Sequence, residues 1–279
     1  QWFPVERMPS LTATIMVAGG LGALTASVPV EAALPLLGWR GVFLLVAALL
    51  VLAASYLMTV PDKPVASAGE SLGQQMRTLG SIYGNRTFWR FAPQGSLTVG
   101  GFMAIQGLWA VPWLIEVNGV SRGDAAGVLL LMSIAMLVGF LFVATCSVGL
   151  ARRGISPMAL LTVGMGLALV VELAIILGLA PAAWLWPLLG FSFSLGNVAY
   201  SQLAAAFPVA LSGRVNTALN LLVFVGAFVL QWGIGAAVDG FAGSGMGRVD
   251  AFKATFAALL AAQVVAFVWF LVPVKPVTR

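Results

Sequence analysis

The chain of 279 residues is 61% hydrophobic and only 8% charged, with a mean hydropathy of +1.03. A soluble domain carries roughly 25% charged residues, so this composition excludes a water-solvated fold and points to a chain solvated mostly by lipid. With no His and one Cys, Cys146, His-dependent triads, two-His zinc sites and disulfides are excluded; the net charge of +5, from 14 Lys+Arg against 9 Asp+Glu, reports topology rather than nucleic-acid binding.

A membrane-crossing helix needs about 20 mostly apolar residues. Eight such runs occur in chain order, at approximately 11–37, 41–60, 92–115, 125–148, 157–179, 183–206, 215–238 and 252–273. Pro29, Glu31 and Pro35 interrupt the first run and predict a kink or unwinding at its outer end. The fifth and sixth are separated only by Ala180, Pro181 and Ala182, a tight hairpin, because one continuous helix there would overrun any bilayer. Eight spans put both termini on one side. Ten basic residues fall on that side (Arg7, Lys63, Arg77, Arg86, Arg90, Arg152, Arg153, Arg214, Lys275 and Arg279) and four opposite (Arg40, Arg122, Arg248 and Lys253), together the full 14. The positive-inside rule then places both ends in the cytoplasm.

The longest polar stretch, 61–91, is cytoplasmic on this topology and divides the chain into residues 1–60 and 92–279. Within it Leu72, Met76, Leu79 and Tyr83 recur at helical spacing, the pattern of a helix lying in the lipid headgroup region; Gly73, Gly80 and Gly84 keep an irregular tether open as the alternative. The chain opens Gln1-Trp2-Phe3-Pro4, without a signal-peptide pattern. Two spans before the loop against six after it lead to the expectation that further spans precede Gln1.

Trp2-Phe3-Pro4 and Arg7, leading into Ala18-Gly19-Gly20-Leu21-Gly22-Ala23-Leu24, then Gly38-Trp39-Arg40 and Phe43, resemble the fifth helix, outer turn and sixth helix of the major facilitator superfamily of secondary transporters. Gln106-Gly107-Leu108-Trp109-Ala110-Val111-Pro112-Trp113-Leu114 is similar to the seventh helix of bacterial members, and Gly149-Leu150-Ala151-Arg152-Arg153-Gly154 to a worn copy of the cytoplasmic turn called motif A. The chain departs from the pattern twice. The acidic residue usual in motif A is absent, and the Gly-Pro and Gly-Gly signature of antiporters is missing after Gly22. The resemblance implies an all-α, polytopic bundle matching the family's fifth to twelfth helices and lacking the first four. Residues 1–60 would be the last two helices of an N-terminal six-helix bundle, 61–91 the central cytoplasmic loop and 92–279 the C-terminal bundle.

The resemblance also puts the solute near the midplane between the bundles, where polar side chains must be paired or line water. Gln106, Trp109 and Trp113, at i, i+3 and i+7, share one helical face. A carboxamide beside an indole suits a polar solute with an apolar part, and Trp113 is expected in the outer aromatic belt. Asn197 and Tyr200 lie three residues apart in the sixth span. Asn216, Asn220, Ala227 and Gln231 form one stripe in the seventh, as solute contacts or as interhelical glue. Gln106, Trp109, Asn197, Tyr200 and Asn220 are the candidate solute-binding residues.

Two carboxyls lie inside spans and are candidates for proton coupling, Glu172 and Glu31. A structural Glu172 paired to a neighbouring helix, and a wet structural role for Glu31 near the outer end, are the competing readings. The intramembrane glycines, Gly19, Gly20 and Gly22, Gly100 and Gly101, Gly164 and Gly166, and Gly233 and Gly235, allow close helix approach. No Walker-type loop occurs, and no acid, base, nucleophile or metal set suggests an enzyme. The expectation is therefore a multi-pass protein of a bacterial-type inner membrane. It would move a small solute by alternating access, driven by a gradient of a co-transported proton or cation, without cofactor, metal or nucleic acid. A non-transporting receptor or assembly subunit of the same fold is the alternative.

Overall fold

The computed structural model describes residues 18–22, 25, 28–59 and 71–273, with the backbone alone at Val28, Glu31 and Val148. Of the residues that carry the resemblance, Trp2, Phe3, Pro4, Arg7, Ala23 and Leu24 lie outside the described residues, as do Lys63, Lys275 and Arg279 of the charge pattern. Every element is helical among the described residues, and six stretches are long and apolar enough to cross a membrane: Ala32–Leu57, Arg86–Glu116, Arg122–Ser147, Pro157–Leu177, Val209–Gly243 and Arg248–Leu271. The expected count of eight is thus met in six. The 11–37 run is described only in part, and the 183–206 run is divided by a break at Asn197.

Helix α1, Val28–Leu57, carries within it the turn expected between the first two runs. Gly38 sits at φ 64°, ψ 169°, a conformation costly for any residue with a Cβ. The helix direction changes at this residue, while Pro35 is tolerated one turn before it. The Arg40 guanidinium lies 4.3 Å over the Trp39 ring, the cation–π contact open to a charge at the end of an apolar helix.

Helix α2, Leu72–Tyr83, occupies the expected amphipathic stretch and begins on a capping box. The Gln74 amide N–H donates to Ser71 Oγ and the Ser71 N–H to Gln74 Oε1, which satisfies two otherwise orphaned donors. Leu72 and Met76 point outward, whereas Ile82 is buried, so the helix is docked at its C-terminal end. Three bonds fix the chain there. Trp89 Nε1 donates to Tyr83 O (2.6 Å), Trp269 Nε1 to Trp89 O (2.8 Å) and Arg90 Nε to Phe270 O (2.7 Å).

The next span is α3 (Arg86–Gln94), α4 (Gly100–Ala104) and α5 (Ala110–Glu116), joined by π turns at Gly95–Val99 and Ile105–Trp109. It is followed by α6 (Arg122–Arg152) and α7 (Pro157–Leu177). Helix α7 starts at the Ser156 cap and stops at Gly178 in the left-handed region, φ 65°; the tight hairpin to Pro181 follows from that residue. Helices α8 (Ala182–Gly196) and α9 (Val198–Ala205) meet at Asn197, and α10 (Ser212–Gly243) and α11 (Arg248–Leu271) complete the bundle.

Lipid tails are as apolar as leucine, so close packing rather than hydrophobic burial holds such helices together. Helix α8 packs against α6 and α7, α10 against α4, and α11 against α7 and α3. Glycines set the closest approaches. A Cβ on Gly100 would sit 2.7 Å from Val223 O and 2.8 Å from Ala227 N of α10, and one on Gly190 would sit 2.5 Å from Met132 O of α6. Trp113 is fully buried, its ring centroid 4.4 Å from that of Phe256. This corrects the expectation that it sits in the outer aromatic belt. The residue is core, because α5 turns it toward α11 rather than toward the bilayer surface.

Candidate functional site

The polar residues of two interrupted stretches and of the continuous helix α10 converge on one cavity of about 420 Å³. The π turn at Ile105–Trp109 carries Gln106, the break between α8 and α9 carries Asn197, the first turn of α9 carries Tyr200, and α10 carries Asn220. Helix interruptions free backbone groups and reorient side chains, and for that reason they recur at functional sites in membrane proteins. Gly196-Asn197 is a weak point for a helix, since neither residue favours its interior. Gly19 and Gly20 of the first run also line it, and Val99, Phe102, Met103, Met136, Phe140, Phe193 and Val223 supply apolar surface.

Within this cavity the Tyr200 hydroxyl donates to Asn220 Oδ1 at 3.0 Å, joining α9 to α10, and Gln106 Nε2 donates to Ser133 Oγ of α6 at 3.3 Å. The Asn197 carboxamide makes no hydrogen bond among the described residues. Tyr200 is the one ionisable residue of the lining among the described residues. The cavity therefore offers amide and phenol groups within open, largely apolar surroundings, at the lower end of the usual size range for small-molecule sites.

Trp109 stands elsewhere. Its Nε1 donates to Gln231 O of α10 at 2.9 Å, its ring meets Phe252 edge-on at 6.2 Å, and with Leu108, Phe228, Gln231, Trp232 and Asp239 it lines an open groove of about 510 Å³. The shared face expected for Gln106, Trp109 and Trp113 is therefore absent: a π turn takes an extra residue per turn, and across 105–109 that rotation sends Gln106 toward α6 and Trp109 toward α10 and α11. The expected α10 stripe runs along an unbroken helix and meets different neighbours along its length, with Asn220 on the first cavity, Ala227 against Gly100 and Gln231 on the groove.

Glu172 is 4% exposed on α7 and does not line the large cavity. It faces a small enclosed space with Thr98, Phe102, Ile105, Leu189, Phe193 and Gln263, and the Gln263 side chain reaches its carboxyl from α11. Glu31 falls on α1, and its side chain lies outside the described residues. Sequence reasoning missed Ser133, Phe102 and Phe193; the serine at least was detectable as a polar residue inside a span.

Three comparisons bear on this architecture. Among curated proteins no significant match is found. Among solved structures, the chain is similar to the crystal structure of a bacterial homolog to human lysosomal transporter, Spinster, in inward-facing and unoccupied conformation, with a TM-score of 0.57 and 17% identity. The match covers 84% of this chain, which spans 58% of the length of that one; at this identity it speaks to the fold alone. The sequence profile of the Major Facilitator Superfamily matches residues 1–231, well over half of the chain. This all-helical membrane protein, with its interrupted helices around a central cavity, belongs to the Major Facilitator Superfamily.

Proposed function

We propose that the protein carries a small solute across the membrane by alternating access, as a non-enzymatic secondary transporter, with the Gln106, Asn197, Tyr200 and Asn220 cavity as its solute site. The observation that carries this reading is the convergence of those four side chains, from separate stretches of chain, on one open cavity of about 420 Å³. The lining favours a solute with an apolar body and a few hydrogen-bonding groups, neutral or singly charged, because no basic side chain lines the cavity among the described residues. Trp109 contributes at the neighbouring groove.

In this arrangement residues 1–60 supply two helices of an N-terminal bundle, 61–91 the cytoplasmic connection with α2 against the headgroups, and 92–279 the bundle that rocks. The exposed Leu72 and Met76 support the placement of α2. The Lys/Arg distribution supports a bacterial-type inner membrane with both ends of this chain cytoplasmic. A proton gradient drives the cycle through Glu172, with Glu31 as the other carboxyl available inside a span.

Uptake of a panel of labelled neutral and singly charged solutes into proteoliposomes tests this reading. Flux of the accepted solute should fall about tenfold in Asn220→Ala and in Gln106→Ala, the effect of losing one hydrogen bond of about 1.4 kcal/mol. Flux indifferent to both substitutions would remove the cavity from the pathway. Solute binding without flux would favour the receptor reading.

A further inference from the structure

Glu172 belongs to a buried polar cluster that the solute cavity does not include. Thr98 is 8%, Gln263 2% and Gln94 0% exposed. Gln94 Nε2 donates to Thr98 Oγ1 at 2.6 Å, and Gln263 Nε2 to Leu97 O at 3.2 Å, so that both amides are anchored on the Arg86–Glu116 span. Three acceptors are left over: Glu172 Oε1, Gln263 Oε1 and Gln94 Oε1 are buried without a hydrogen-bond partner. Buried acceptors in this number are uncommon in proteins and ask for a donor. A carboxylic acid O–H would be one.

Among the described residues no charged side chain neutralises the carboxyl from the helices around it. Helix α8 has no titratable residue. Tyr200, on α9, lines the solute cavity and is bonded to Asn220. The charges of α11, Arg248, Asp250 and Lys253, are confined to its first six residues, whereas Gln263 lies about three turns further on. Arg86 and Arg90 sit in the first turns of α3, with Arg90 held on Phe270. The space beside Glu172 offers about 10 Å³ to water centres, about the room of one water molecule.

Two rings form the wall between this space and the solute cavity. Phe102 of α4 and Phe193 of α8 line both enclosures, and their rings stack with centroids 3.8 Å apart and planes 7° from parallel. We propose that Glu172, with Gln263 and Thr98, is a proton-binding site reached from the solute cavity through the Phe102–Phe193 pair, which gates the exchange. In this step a proton passes from water in the cavity to a Glu172 carboxylate oxygen and returns by the same route, with no bond made to the solute. Solute seated against the ring faces would then hold the gate, and rocking of the bundle would part it. The inference rests on the cavity assignment above for the location of the gate's outer face.

The test follows the carboxyl directly and needs no solute. Infrared difference spectra of the intact protein in liposomes, between acid and alkaline buffer, should contain a protonated-carboxyl C=O band that Glu172→Gln removes. On transfer to heavy water, the deuterium shift of that band should be slow in the wild type and about tenfold faster in Phe193→Ala, a factor equal to about 1.4 kcal/mol and within the contribution of a stacked aromatic pair. Phe193→Leu keeps an apolar plug without the ring face and should be intermediate. Phe142→Ala, which removes a ring that lines neither enclosure, should leave the rate unchanged. A spectrum with no band lost in Glu172→Gln overturns the proton site; equal acceleration in Phe142→Ala, or none in Phe193→Ala, overturns the gate. These failures would leave the solute cavity standing, whereas failed uptake would leave the carboxyl result standing.

Discussion

One close helix–helix contact with a bearing on the cavity is that of α4 with α10, and replacing Gly100 by Ala probes it. The added Cβ would lie 2.7 Å from Val223 O, 2.8 Å from Ala227 N and 3.2 Å from Gly226 C. All three are backbone atoms, so no side chain can rotate away. Carbon contacts settle near 3.5–4.0 Å, and relief therefore requires the helices to part by about 1 Å. Overpacking of this kind costs about 1–3 kcal/mol, of which better helix propensity returns less than about 1 kcal/mol. Gly233→Ala is the matched control, because a Cβ at that point of α10 meets nothing within 4 Å. Intrinsic tryptophan fluorescence during heating of the purified protein in detergent reads both. Gly100→Ala should melt about 2–8 °C below wild type, at about 2–4 °C per kcal/mol for a chain of this size, and Gly233→Ala at or slightly above it. Equal melting temperatures for the two variants would refute the backbone contact and, with it, the position of the cavity wall formed by Val99 and Val223.

Three further outcomes follow from single interactions. Trp109→Phe removes the 2.9 Å bond to Gln231 O while keeping the aromatic body, and should lower stability by about 1 kcal/mol in the same melting assay. Tyr200→Phe removes the 3.0 Å bond to Asn220; because both groups face a wet cavity, stability should change by less than about 1 kcal/mol, while KM of the transported solute rises and expression is unaffected. Arg248 lies 3.7 Å from both Glu116 and Asp239, with all three side chains well exposed, and Arg248→Ala should cost less than about 1 kcal/mol, a loss that added salt diminishes.

Much of the architecture is legible because a lipid-solvated chain marks its spans by length and by the charges that bound them. The hairpin at Ala180–Ala182 and the amphipathic α2 follow from the same reasoning, and the capping-box spacing of Ser71 and Gln74 would have fixed the start of α2 as well. What 3.6-residue periodicity cannot see is an inserted residue. The π turn at Ile105–Trp109 separates Gln106 from Trp109 although their spacing is that of neighbours. The break at Asn197 is written only weakly, in Gly196-Asn197. Phe102 and Phe193 were invisible for another reason: in a membrane protein a core phenylalanine and a lipid-facing one occur in the same apolar runs, and burial is decided by packing alone. The fully buried Trp113 shows the same ambiguity, since the aromatic belt and the bundle core both use tryptophan.

Alternating access requires the Asn220 cavity to open to each side of the membrane in turn. Cysteine accessibility measures this directly, with Asn220→Cys placed in a Cys146→Ala background and a membrane-impermeant maleimide applied to either face of sealed, oriented vesicles. Labelling from both faces, with modification from one face blocking later modification from the other, is the predicted result. Labelling from one face only, under every solute and gradient condition, would contradict alternating access at this site.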